Sequence, residues 1–410
     1  MGKKGLGINT QLVHAGERGA PPQGKPVSTP IYATATFTYD SMAEVDQVFA
    51  GEQQGYIYTR YGNPTVAALE EAVRVLEAGA AACAYSTGMA ALHAAIFACE
   101  LAPGATILAS QDLYGATIDL LYKIFGSYGI KTATADFSDV AALRAKALEV
   151  GPRVLIAETI SNPLLKVCDI AACAEIAREV RARFIVDNTF TSPYLCQPLK
   201  LGADFSVHSA TKYLSGHADV MGGVVVARDE VDLPTLIGVM KLVGGILGVW
   251  EAHEIHRGLK TLSVRMDRQC ANAASLAEYL SSHSRVSRVH YPALATTPNR
   301  DLMKRVLRSP HAGALVSIEL QENTREAAFR FMDALTLCVR STSLGDVFTS
   351  VLHPATASHR EMSPKRRLQL GITEGLVRIS VGIEDVADII EDIQQALEKS
   401  AGGGGRVVYS

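Results

Sequence analysis

The chain has 410 residues, 48% apolar and 20% charged, with a formal net charge of −3 from 39 Lys and Arg against 42 Asp and Glu. That apolar content excludes a disordered chain, and the near-neutral balance leaves no electrostatic footprint for nucleic acid. At roughly 100–200 residues per domain, the length predicts two or three domains.

Residues 1–60 carry Pro21, Pro22, Pro26 and Pro30 without sustained periodicity, which predicts an extended arm. Met1–Thr10 leads into no apolar run, so a secretory signal is not expected, and Leu6 stands where a myristoylation motif needs Ser or Thr. Asn63–Leu76 reads as an amphipathic helix with Pro64 in its first turn. Ala80–Tyr85 is a short apolar run, broken by Ser86-Thr87-Gly88, and Met89–Cys99 is an Ala-rich helix. Thr106–Ala109, Val154–Ala157, Phe184–Val186, Phe205–His208 and Val224–Ala227 are apolar on both faces, as strands of a covered parallel sheet are. Helix-like Thr117–Phe125, Val140–Val150 and Ile170–Arg181 lie between them, and this alternation predicts an α/β fold.

The apolar stretch Leu233–Trp250 holds Pro234, Lys241 and four glycines, which is too broken for a membrane span. Beyond about residue 256, Val264–Ser281 reads as one long helix. Strands Leu315–Leu320 and Leu376–Val381 then alternate with helices Thr324–Leu335 and Val386–Ser400. The division is an arm over 1–60, a first domain over 61–255 and a smaller α+β domain over 256–410. Gly402–Gly405 predicts a flexible end and no phosphate loop. The seven cysteines show no C-x-x-C spacing and read as reduced small hydrophobes, so a cytoplasmic location is expected.

Chemistry concentrates in His208-Ser209-Ala210-Thr211-Lys212-Tyr213-Leu214-Ser215-Gly216-His217, just after a strand. Lysine is the amine that forms Schiff bases with carbonyl compounds, and hydroxyls beside it can hold a phosphate. Asp187 ends another buried run, at the carboxyl end of a strand, where ligands of open α/β sheets bind. A carboxylate there can pair with a protonated pyridine nitrogen while Lys212 holds the aldehyde, the arrangement of a pyridoxal phosphate (PLP) site. Ser86-Thr87-Gly88-Met89 sits between strand and helix, where backbone N–H groups favour a phosphate. G-x-G-x-x-G, Walker A and G-x-S-x-G motifs are absent, against dinucleotide, nucleotide and α/β-hydrolase readings.

These residues, with Tyr58–Thr65, Leu113-Tyr114-Gly115, Glu158, Asn162-Pro163, Ser343-Leu344-Gly345, His353-Pro354-Ala355 and Gly371–Asp385, follow each other along nearly the whole chain. The chain resembles the Cys/Met-metabolism family of PLP enzymes, which spans cystathionine γ-lyase, cystathionine γ-synthase, methionine γ-lyase and O-acetylhomoserine sulfhydrylase. The resemblance implies a PLP-dependent transferase fold of type I, with a mostly parallel seven-stranded sheet and a smaller C-terminal α+β domain. It implies that Lys212 holds the cofactor and shuttles protons, and that Asp187 holds the pyridine nitrogen. Gly88, Met89, Ser209 and Thr211 would bind the phosphate. Tyr114 would stack on the ring and donate a proton to the leaving group. Asn162 would contact the ring oxygen, and Arg378 with Ser343 would hold the substrate carboxylate. Tyr58 and Arg60 would reach a neighbour's phosphate, so the site would be shared within dimers that pair into a homotetramer.

The member of the family stays open. Ala116 stands where methionine γ-lyases carry Cys, Leu242 where they tend to have Asp, and Thr342 where cystathionine enzymes often have Glu. Gly371–Arg378 looks most like methionine γ-lyase. γ-Elimination on methionine, cystathionine or homocysteine is the first reading, and γ-replacement on an O-acyl-homoserine is the alternative. A binding module on this fold would have lost Lys212 or Arg378, and an aminotransferase is a further competitor. His253 and His256 stand i,i+3 rather than i,i+4, so no metal is expected there. His353 and His359 read as polar loop residues, and Glu158 as either a group behind the cofactor or a strand-end carboxylate.

Overall fold

A computed structural model describes residues 24–297, 300–308 and 310–401. The segment Met1–Thr10 and the glycines Gly402–Gly405 lie outside these residues.

The described part of the arm, from residue 24, holds one helix, α1 (Met42–Phe49), whose start is capped by the Ser41 hydroxyl. None of its residues is buried, and although Met42, Val45 and Phe49 share one face, eight residues are too few to make that periodicity stand out. Helix α2 (Pro64–Glu77) starts where Asn63 accepts a bond from Thr65 N at 2.9 Å and Pro64 fills the first turn. Its Leu69 and Val73 are fully buried. Strand β1 (Ala81–Tyr85) is followed by α3 (Gly88–Phe97), β2 (Thr106–Ser110) and α4 (Gly115–Asp119). The helix expected over Thr117–Phe125 is not uniform, because α4 widens into a π-helical stretch at Leu120–Phe125.

Strand β3 (Lys131–Ala135), α5 (Val140–Val150), β4 (Val154–Glu158), α6 (Ile170–Glu179), β5 (Arg183–Asp187), β6 (Phe205–Ser209) and β7 (Gly223–Ala227) complete the first sheet. Its seven strands run in the order β1-β7-β6-β5-β4-β2-β3. The block from β6 to β3 is parallel, and β7 is antiparallel to both its neighbours. Strand β7 reads Gly-Val-Val-Val-Ala and is buried throughout, like its parallel neighbours, so composition does not reveal its direction. β3 alternates Thr and Ala at an edge with no residue fully buried, which hides it from an apolar-run reading.

Helices α7 (Leu233–Val243), α8 (Val249–Leu259) and α9 (Leu262–Ser281) lead to a second sheet. That sheet holds β8 (Val286–His290), β9 (Leu315–Leu320), β10 (Val339–Arg340), β11 (Ser350–Leu352) and β12 (Leu376–Ser380), in the order β10-β11-β12-β9-β8. Helix α10 (Arg325–Ala334) and the terminal α11 (Val386–Ala401) belong with it. One continuous apolar cluster runs from α2 through the first sheet to α9, β9 and α11.

A polar knot ties α2 to the first sheet. Glu77, fully buried, accepts at one oxygen from Asn188 Nδ2 at 2.8 Å and Ser206 Oγ at 2.9 Å, and pairs there with His208 Nε2. Removing this carboxylate strands three buried polar groups. Glu77→Ala is therefore expected to lower unfolding stability by about 3 kcal/mol or more, read as the urea midpoint, with Glu77→Gln less damaging. A loss below about 1 kcal/mol in Glu77→Ala would show that the knot does not hold α2 in place.

Candidate active site

Three adjacent parallel strands end at one edge. β4 ends in Glu158, β5 in Asp187 and β6 in Ser209, and Glu158 lies directly beside Asp187 in register. Helix α3 points its N-terminus at the same edge. Its cap Thr87 accepts from Ala90 N at 3.0 Å, and Gly88 and Met89 open the first turn, where N–H groups have no intrahelical acceptor. A Cβ on Gly88 would stand 2.7 Å from Ser209 Cβ and 2.9 Å from its Cα, so only glycine lets the helix start come this close.

A cavity of about 450 Å³ opens over this edge. Gly88, Met89, Tyr114, Asn162, Asp187, Ser209, Thr211, Lys212 and Arg378 all line it. Ser343 joins them through bonds: Lys212 Nζ donates to its hydroxyl at 3.2 Å, and Arg378 Nη2 donates to its carbonyl at 3.2 Å. Arg378 is buried on β12, and its Nη1 donates to Asn162 Oδ1 at 3.0 Å while Nε has no partner. Burial lowers its pKa to about 10. Tyr114 is partly exposed at the rim.

The charges in this cavity disturb one another. Burial, and secondly the Arg378 guanidinium, lower the pKa of Lys212, which favours the free amine. Burial raises Asp187, opposed by its bonds from Thr189, whose N–H donates to Asp187 Oδ1 at 2.9 Å. Thr189 Oγ1 in turn accepts from Ser209 N at 2.8 Å, so the two strand ends are cross-braced. Glu158 is pushed well up by burial and then by the neighbouring Asp187. Its Oε1 accepts from Tyr114 N at 2.6 Å, and its Oε2 is left bare. Glu158 thus anchors the loop that carries Tyr114.

Tyr58 and Arg60 do not line this cavity. Arg60 Nη1 donates to Lys241 O at 3.0 Å and lies 4.9 Å over the Tyr61 ring, in a separate depression. His353 is braced by Thr356 Oγ1 and Glu374 O, both at 2.9 Å. His359 is buried against Ser358 Oγ at 2.9 Å, and burial lowers its pKa to about 4. Among the described residues no cluster of His, Cys, Asp or Glu could hold a metal, His253 and His256 included. Sequence reasoning missed Asp346, one residue beyond Ser343-Leu344-Gly345. It is buried beside Lys212 and Ser343, and only the packing of that turn reveals it.

The donor set fits PLP. A glycine-only helix start and the Ser209 hydroxyl suit the phosphate, Asp187 suits a protonated pyridine nitrogen, and an amine of lowered basicity suits the aldehyde. Thr211 is the weaker member, because its hydroxyl already donates to Gly222 O at 3.4 Å.

Comparison with known proteins agrees with this chemistry. The family model described as Cys/Met metabolism PLP-dependent enzyme matches residues 9–398. The L-methionine gamma-lyase of Pseudomonas putida is 42% identical over 398 residues, covering 96% of this chain and 98% of that protein. The O-succinylhomoserine sulfhydrylase of Pseudomonas aeruginosa is 38% identical, covering 96% of each chain. A crystal structure of cystathionine gamma synthase from Xanthomonas oryzae pv. oryzae, in complex with aminoacrylate and cysteine, superposes with a TM-score of 0.85 at 37% identity, covering 91% of this chain and 93% of the other. With its cofactor PLP and its type I fold, the chain belongs to the Cys/Met metabolism PLP-dependent enzymes.

Proposed function

We propose that this enzyme catalyses γ-elimination on sulfur-containing amino acids such as methionine, cystathionine or homocysteine, giving a 2-oxo acid, ammonia and a thiol. The observation that supports it most is the convergence of the Lys212 amine and the Arg378 guanidinium on Ser343 in one cavity. That arrangement seats an α-amino acid by its carboxylate with its α-carbon beside a base. The 42% identity to the L-methionine gamma-lyase of Pseudomonas putida favours elimination. γ-Replacement on an O-acyl-homoserine is the second reading, because the sulfhydrylase and the γ-synthase are nearly as similar.

Arg378 binds the substrate carboxylate through its planar fork, with Asn162 and Ser343 fixing the guanidinium plane. Bound PLP supplies an electron sink that stabilises the carbanion left when the α-proton departs. Lys212, kept partly neutral by burial and by Arg378, takes that proton and returns it at a neighbouring carbon. Asp187 would hold the pyridine nitrogen and favour its protonated form, and Gly88, Met89, Ser209 and Thr211 would hold the phosphate. Tyr114 would lie at the cofactor ring and donate a proton to the departing thiolate, its loop held by Glu158. Water then completes elimination, or a thiol completes replacement.

Residues 61–255 form the cofactor domain in this reading, 256–410 the smaller domain, and 1–60 an arm onto a neighbouring subunit. Tyr58 and Arg60 act on that neighbour's phosphate, in keeping with their place outside their own cavity. Exposed Met42, Phe49, Leu242, Val243 and Trp250 on the arm and the adjoining segment give the dimer its apolar contact, and two dimers make a homotetramer. Among the described residues no helix is long and apolar enough to cross a membrane, and the described cysteines are free and buried, which supports the cytoplasm.

Incubation with methionine, cystathionine and homocysteine is expected to release keto acid and ammonia in equal amounts, and Lys212→Ala is expected to abolish both the release and the visible band of bound cofactor. A thioether formed only from O-acyl-homoserine and a thiol would move the enzyme to the replacement branch. Arg378→Lys is expected to lower kcat/KM about 100-fold, mainly through KM, since the ammonium lacks the paired donors. The shared site has its own test. Arg60→Ala and Lys212→Ala, each inactive alone, should regain about a quarter of wild-type activity on subunit exchange, because half the dimers would then carry one intact site of two. No recovery, with exchange verified by mass, would show that each subunit works alone.

A further inference from the structure

The turn that carries Lys212 is wound by its own bonds. Lys212 N donates to Ser209 O at 3.1 Å, Gly216 N to Lys212 O at 2.8 Å, and Ser215 Oγ to Thr211 O at 2.9 Å. Two neighbours then hold it from outside. The first is the turn Ser343–Val347. Val347 N donates to Gly216 O at 2.9 Å, and Gly345, at φ +82°, lies so close that a Cβ would stand 2.8 Å from Tyr213 N and 3.2 Å from Lys212 C. Gly345 is itself fixed, its N donating to Ser380 Oγ at 2.8 Å. This clamp joins the lysine turn to the second sheet.

The second neighbour is Arg265, near the start of α9. It is 4% exposed, and its guanidinium serves three neutral oxygens: Nη1 donates to Tyr213 O at 2.8 Å, Nη2 to Gly258 O at 2.9 Å and Nε to Thr261 Oγ1 at 3.1 Å. Among the described residues no carboxylate bonds to it. A buried cation without an anion is costly and calls for a reason. Gly258 lies in the last turn of α8, where carbonyls lack an intrahelical donor and favour a cation, and this accounts for one arm of the fork. The other arm reaches the carbonyl of the residue directly after the lysine. Gly216, at φ +75°, makes room for it, because a Cβ there would collide with Arg265 Nη1. A planar fork can bind two carbonyls from different elements at fixed angles, which an ammonium cannot.

The Lys212 amine rides on a flexible four-carbon stem and bonds to Ser343 Oγ at 3.2 Å. Where it can reach is set by the backbone at the base of that stem. We propose that Arg265 is a positioning residue for Lys212: by tying the Tyr213 carbonyl to the end of α8, it fixes the lysine turn so that the amine meets the α-carbon of the substrate in a reactive orientation. The proposal rests on the reading that Lys212 carries the proton. It gives α9 a share in the chemistry without any contact with the cofactor or substrate.

The test compares Arg265→Lys and Thr261→Val with wild type in the full-length holoenzyme. Two readouts separate positioning from stability. One is the split between kcat and KM, and the other is the circular dichroism of the visible cofactor band, which follows the orientation of the bound cofactor. Arg265→Lys keeps a cation at the end of α8 and is expected to lower kcat about tenfold with KM within about twofold, because a misplaced base slows the chemical step and leaves binding intact. The dichroism of the band should weaken with it. Thr261→Val removes one acceptor on an exposed residue, and kcat should fall about two- to threefold with KM unmoved. Rates are taken with whichever substrate turns over, so the replacement branch leaves the test intact. A lower melting temperature with unchanged kcat and dichroism in Arg265→Lys marks a merely structural arginine and overturns the proposal, as does a loss confined to KM. Should that variant not fold, an unmoved kcat and band in Thr261→Val overturn it. Borohydride reduction that attaches PLP to a lysine other than Lys212 would instead sink the reading beneath the proposal, a failure that neither variant can produce.

Discussion

A primary amine can remove a proton only if it is not already carrying one more than it needs, and an ordinary lysine is protonated far above neutral pH. The proposed chemistry depends on removing the Lys212 amine from water. Lys212 sits after the buried strand β6, against β12 and the turn Ser343–Val347, with Arg378 as its nearest like charge. The two sheets are therefore not simply adjacent. The first sheet supplies the amine and the second supplies the cation that lowers its basicity, and neither would do so alone. The clamp at Gly345 keeps the two in register.

The strand ends obey the same logic with opposite sign. Glu158 and Asp187 stand side by side at the carboxyl edge of parallel strands, where main-chain direction brings successive strand ends together. Burial raises both carboxylates, and Asp187 raises Glu158 further. A cation arriving at Asp187 relieves the pair. Glu158 Oε1 accepts from the Tyr114 main chain, which ties that loop to the strand end. Glu158 both ends β4 and lines the cavity, and its bond to Tyr114 N is a third feature that the sequence did not show.

Legibility followed local physics. β2, β4, β5 and β6 could be read because strands covered on both faces are apolar throughout, and α2 because Asn63 and Pro64 mark its start. β3 could not, being Thr and Ala at an edge, nor β10, which is two residues long. The π-helical widening at Leu120–Phe125 comes from packing and has no local signature. In the site, Lys212 and Asp187 were visible as strand-end residues of the right chemistry. Arg378 and Asn162 were visible only through family resemblance, since the bond between them joins β12 to a loop more than two hundred residues earlier. Asp346 was not visible, because its burial exists only once its turn is folded onto Lys212–Gly216.

The bare polar atoms tell a connected story. Arg378 Nε, Glu158 Oε2 and both oxygens of Asp346 are buried and unpartnered, and all belong to residues in or beside one cavity. Each such group costs on the order of 1–3 kcal/mol, so the site carries part of the hydrogen bonding that folding leaves unmet. Polar ligands that complete these bonds recover that deficit, and recovery on binding is stabilisation of the folded state. The sheets bear the unfavourable arrangement because their apolar cluster is continuous from α2 to α11. A fold of this size can thus hold an amine, two carboxylates and a guanidinium in dry, strained company, waiting for the cofactor and the amino acid whose charges match them.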